Sequence, residues 1–129
     1  MSKISFLPNE LIKTIHHRII TKHGGENGFR DESNINKINT KMMEMYLKGE
    51  TDIIKLATEY TYIFRDYPPF KTANSRVPIL VICIFLELNG YQFKASNQET
   101  AFYFIKAFDR EISKDEFAKW LKDNSKKNK

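Results

Sequence analysis

The chain has 129 residues, of which 41% are hydrophobic and 29% charged, with a formal net charge of +5. That length allows one domain with one core and excludes two, and the apolar content is too high for a disordered chain. The longest apolar stretch, Val77 to Leu86, is about half of what a membrane span needs.

The single cysteine, Cys83, lies inside that stretch. No disulfide can form within the chain, so a reducing cytoplasm is the expected location and Cys83 is expected to be a small core residue. The opening "MSKISFLPNE" lacks the apolar run of a secretion signal, and none is expected.

Six helices are predicted. The first spans about Pro8 to His23: proline suits the first position, Gly24-Gly25 the stop, and Leu11, Ile12, Ile15, Ile19 and Ile20 form one apolar stripe. A glycine-rich loop, "GGENGFRD", follows. The second helix runs from about Glu32 to Lys48. It carries Ile35, Ile38, Met42, Met45 and Tyr46 at helical spacing, and its methionines are expected in the core rather than on a soft metal. The third runs from about Thr51 to Arg65, with Ile53, Ile54, Ala57, Tyr60, Thr61 and Phe64 on one side.

The apolar run "VPILVICIFLELNG" has enough β-branched residues for a buried strand. Its length and the Asn89-Gly90 stop predict instead a helix over about 75–89, with Pro78 in the first turn. A helix apolar on all sides belongs in the middle of a bundle. "YQFK" after it alternates but is too short to anchor a sheet. "SNQE" and "SKDE" are Ser-x-x-Glu capping boxes, predicting helices at about 97–109 and 114–124. The expected architecture is all-α: a compact bundle of six helices around a central hydrophobic one, residues 1–125, with a basic, frayed tail at 126–129.

His16, His17 and His23 all fall on the first helix. Adjacent His16 and His17 point about 100° apart and cannot share a metal. No cysteine or carboxylate completes a ligand set, so they are expected at the surface or at the helix end. Scattered lysines without an aromatic platform make a nucleic-acid binder a weak alternative.

Four stretches in this order give the chain a resemblance to a known family. "ISFLPNELIKTIHHRIITKHGGENGFRD", "TDIIKLATEYTYIF" and "FLELNGYQF" flank a loop, "PPFKTANSR", at residues 68–76. The chain resembles the Fic/Doc family, in its small death-on-curing branch, over nearly its whole length. The family motif H-x-F-x-[DE]-[GA]-N-[GK]-R then falls on this loop. Phe70 takes the motif's structural phenylalanine, Ala73 its small residue, Asn74 its asparagine and Arg76 its arginine. Pro68 stands at the histidine position, Thr72 at the acidic position and Ser75 at the Gly/Lys position. A competing register on Tyr62, Phe64 and Asp66 loses the asparagine and arginine.

The resemblance implies a transferase that moves phosphate or AMP from ATP to a hydroxyl of a target protein, with a histidine base and a Mg²⁺ held by a carboxylate. It also implies a toxin neutralised by an antitoxin-like peptide segment lying in a groove on the bundle. This loop departs from that inventory. Pro68 has no titratable group, and Thr72 is a neutral, poor metal anchor; loss of a general base alone costs about 10²–10⁴-fold. Catalysis by the motif is therefore not expected, and the chain reads as a degenerate relative acting by partner or anion binding. Three roles stay open for the loop. Asn74 and Arg76 cap the helix and pair with a nearby carboxylate; or Thr72, Ala73, Asn74, Ser75 and Arg76, helped by Lys71, hold an anion or nucleotide; or a rearranged site recruits Asp66, Tyr67 or a first-helix histidine, and the chain is an active toxin.

Overall fold

The structure, a computed structural model, describes residues 3–128. Six helices follow one another: α1 (Asn9–His23), α2 (Ser33–Leu47), α3 (Ile53–Asp66), α4 (Val77–Leu88), α5 (Asn97–Phe108) and α6 (Lys114–Asp123). Two three-residue strands, β1 (Tyr91–Phe93) and β2 (Ser125–Lys127), complete the chain. The fold is the expected all-α bundle.

Three of the helices, α3, α5 and α6, start on a side chain that satisfies unpaired N–H groups of the first turn. Ser96 Oγ accepts from Glu99 N and Ser113 Oγ from Glu116 N, each at 3.1 Å, so both capping boxes form. Asp52 Oδ1 caps α3 by accepting from Ile54 N and Lys55 N. Pro78 lies in the first turn of α4, where its missing N–H leaves no bond unmade.

The core is shared between α3 and α4. Ile54, Leu56, Ala57, Tyr60, Ile63 and Phe64 of α3 meet Val77, Val81, Ile82, Phe85 and Leu86 of α4, all buried. Helix α3 is enclosed along almost its whole length, with α2, α4, α5 and α6 packed around it. Helix α4, apolar on every side in sequence, buries one face and leaves Leu80 40% and Leu88 52% exposed. Of the methionines expected inside, Met42 is buried and Met45 packs against the core.

The frayed tail is a correction. Strand β2 pairs antiparallel with β1, placing Tyr91 opposite Lys127, Gln92 opposite Lys126 and Phe93 opposite Ser125. Lys94 N donates to Asn124 O and Asn128 N to Gly90 O, each at 2.7 Å. "YQFK" thus does find a sheet partner, supplied by the far end of the chain. The end is held because α6 delivers it beside β1, where Phe93 rests edge-on against Trp120 with centroids 5.5 Å apart. Lys129 lies outside the described residues. Among the described residues no helix is long and apolar enough to cross a membrane.

Candidate functional site

The loop between α3 and α4 is built from the backbone outward. Pro68 and Pro69 end α3 and offer carbonyls but no N–H. Pro69 O accepts from Arg30 N at 2.9 Å and Asp31 N at 3.1 Å, and Pro68 O accepts from Asn34 Nδ2 at 3.1 Å. Phe70 is buried and forms a β-bridge with Phe29, and Lys71 N donates to Gly28 O at 3.2 Å. The glycine-rich segment after α1 therefore runs alongside the motif loop as a second wall.

Thr72 pins that wall. Its Oγ1 donates to Glu26 O at 3.0 Å and accepts from Glu26 N at 3.1 Å. Gly25 makes room for this contact: a Cβ there would stand 3.0 Å from both Thr72 Oγ1 and Ile20 Cδ1, at a φ of +122°. Asn74 closes the loop on itself, with Nδ2 donating to Phe70 O at 2.8 Å and Oδ1 accepting from Phe70 N at 3.1 Å. Ala73 takes a left-handed φ of 69°, which larger or β-branched residues adopt only under strain. Its carbonyl accepts from Arg76 N and Val77 N, both at 3.0 Å, and so launches α4.

His16 is the residue that the surface assignment missed. It is 4% exposed and lies flat on Phe70, with ring centroids 3.8 Å apart and planes 4° apart. Its Nε2–H donates to Thr72 O at 3.2 Å. Burial, the main cause, and neighbouring His17 hold the imidazole below its ordinary pKa, against the opposing pull of the Thr72 carbonyl. The signal was present in the apolar stripe: His16 stands four residues after Ile12 and four before Ile20, on the inward face. His17 and His23 are exposed, as expected.

The positions named from sequence thus come together unevenly. Phe70, Thr72 and Asn74 are fixtures of the loop's internal bonding. Ser75 is half-buried beside them, and Arg76 is exposed. Among the described residues Arg76 has no ion pair, so the carboxylate partner expected for a purely capping role is not there. The N–H groups of Ala73, Asn74 and Ser75 also find no acceptor among the described residues. Lys71 Nζ lies 3.7 Å from Glu26, which offsets part of its charge. Asp66 is paired with Arg110 and Tyr67 carries Lys41 over its ring at 5.2 Å, so neither points to a rearranged base.

The residues at the motif's acid position do not fit a divalent cation. The Thr72 hydroxyl is neutral and is engaged on the Glu26 backbone as both donor and acceptor, and the Glu26 carboxylate faces Lys71. Among the described residues no three His, Cys, Asp or Glu side chains gather as a ligand set. Cys83 is half-buried rather than sealed in the core, and burial first, then Glu87, pushes its thiol up to about 11, away from the thiolate form. Larger hollows lie elsewhere, one of about 670 Å³ lined by Met45, Lys48, Glu59 and Lys114, and one of about 1070 Å³ beyond the C-terminal end of α4.

Fold and loop together define a class, a six-helix bundle carrying a tightly braced loop at the start of an apolar helix. The chain matches no protein-family model, and no curated protein matches it.

Proposed function

We propose that this chain is a non-catalytic relative of the Fic/Doc proteins whose 68–76 loop holds an anionic group, such as a phosphate, without transferring it. One observation carries the reading. The two positions that would supply a base and a cation ligand, Pro68 and Thr72, are both spent on structure, through Asn34 and the Glu26 backbone. What is left over is suited to binding: an exposed guanidinium on Arg76 and the unused N–H groups of Ala73 to Ser75. By the family resemblance, an antitoxin-like peptide is a candidate partner.

The test is to incubate the protein with labelled ATP, Mg²⁺ and a bacterial lysate, and to titrate it with ATP and with inorganic phosphate in a calorimeter. No protein should be labelled above a boiled control, and anion binding should be lost in Arg76→Ala. Clear labelling overturns the non-catalytic reading, and binding that survives Arg76→Ala overturns the anion site.

A second reading, an active transferase toxin with a relocated base, has one observation in its favour: an imidazole, His16, does lie against the loop. In that case expression inhibits growth and His16→Gln removes the inhibition. The ring's enclosure and its bond to Thr72 O weigh against this reading, because a general base must reach the proton it takes.

A further inference from the structure

We propose that the outward side of α4 is a homodimer interface, on which two copies of this chain pack their α4 helices antiparallel across a two-fold axis. The bundle leaves that side bare. Val77, Val81, Ile82, Phe85 and Leu86 turn inward and are buried. On the opposite side Arg76, Leu80 and Glu87 are exposed, and Ile79, Cys83 and Ile84 are half-buried.

These residues follow a regular pattern. Arg76, Leu80, Cys83 and Glu87 are spaced four, three and four apart, which is the seam spacing of a two-helix coiled coil. At 3.6 residues per turn they fall in one stripe about 60° wide, with Ile79 and Ile84 on either flank. The stripe complements itself when reversed. Its cation stands at one end and its carboxylate at the other, about 17 Å apart along the axis. A two-fold axis at the midpoint sets each Arg76 opposite the other copy's Glu87, each Leu80 opposite Cys83, and each Ile79 opposite Ile84. Within one copy neither Arg76 nor Glu87 has an ion pair among the described residues. A hollow of about 490 Å³ beside the stripe, lined by Cys83, Glu87, Tyr91 and Phe93 among others, lies where the other copy's Leu80 and Arg76 arrive.

That order of charges selects the occupant. A two-fold contact needs a surface that matches itself, and a stripe running from cation through apolar side chains to carboxylate does so antiparallel. Parallel packing would set like charges together. A nucleic acid would meet a carboxylate and an apolar middle. The formal net charge of +5 on each copy opposes association, but charges further apart than about 8 Å are largely screened at physiological salt, so the facing pairs decide. Three turns of helix make a small interface, and the dimer should therefore dissociate on dilution. The proposal does not rest on the anion-binding reading; where both hold, phosphate and the other copy's Glu87 compete for Arg76.

Sedimentation velocity of the full chain over a rising concentration series tests it. The wild type should pass from monomer to dimer. Arg76→Glu and Glu87→Arg should each weaken the dimer about tenfold, because each sets like charges together twice. Two samples should regain it: the double variant Arg76→Glu, Glu87→Arg, and an equimolar mixture of the two single variants, whose heterodimer has both opposite-charge pairs again. Mixing does not repair a folding defect, so recovery reports the contact rather than the fold, and circular dichroism checks each chain. A wild type that stays monomeric at every concentration overturns the proposal and leaves the face to another partner. Association unmoved by the single variants, or not recovered on mixing them, places the contact elsewhere and overturns it too.

Discussion

His16 shows how much a single side chain can depend on its surroundings. On α1 it replaces an aliphatic residue in the inward stripe, stacks on Phe70 and gives its Nε2–H to Thr72 O. Burial, the main cause, lowers the ring's pKa from the ordinary 6.5. The unfolded chain takes up the proton at the ordinary value and the folded chain resists it. Stability from this site is therefore fully present above pH 6.5 and declines as pH drops toward the folded value. Thermal unfolding scans of the wild type should show this decline below pH 6.5, and His16→Gln, though less stable throughout, should show a shallower one. Equal slopes would mean that the imidazole carries no such linkage. Asn74 is equally specific. Its amide matches both the N–H and the C=O of Phe70, which a carboxylate at the same position could not do, because it has no donor.

At the scale of elements, α4 separates composition from position. Nearly every residue in it is apolar, yet one side is core and the other meets solvent. Replacing a leucine on the two sides should therefore cost different amounts. Leu86→Ala removes a fully buried side chain and leaves a cavity, at a cost of about 2–5 kcal/mol. Leu80→Ala, at 40% exposure, should cost less than about 1 kcal/mol. Urea unfolding midpoints of the two variants check this, and similar shifts would show that α4 is enclosed on both sides. The helix starts were legible because a cap is a local bargain between a side chain and the next three N–H groups. The face that α4 turns to solvent was not, because a pattern with no polar side carries no direction.

For the molecule as a whole, the two ends of the chain are what sequence reading placed least well. Residues 125–127 look like a solubilising end, but they pair with β1, whose Phe93 packs on Trp120. Deleting residues 125–129 should therefore destabilise the fold by about 1–3 kcal/mol, through the lost strand bonds. A melting temperature unchanged by the deletion would return these residues to the status of a tail. The same kind of long-range contact builds the candidate site. The segment from Glu26 to Asp31 lies against residues 69–72, 38 to 46 positions further along the chain, through main-chain bonds and the Thr72 hydroxyl.

The sequence by itself determined six helices, the serine caps of α5 and α6, most of the inward stripes, and the identities in the 68–76 loop, including a proline and a threonine where the family resemblance led to the expectation of a base and an acid. These features are set by neighbours a few residues apart, whose spacing can be read along the chain. Only the tertiary structure decided that His16 is buried against the loop, that the Thr72 hydroxyl bonds the Glu26 backbone in both directions, that Arg76 has no ion pair among the described residues, and that the basic end is a strand. Each of those depends on which distant backbone groups meet, and a hydrogen bond to a carbonyl leaves no mark on the residue that owns it.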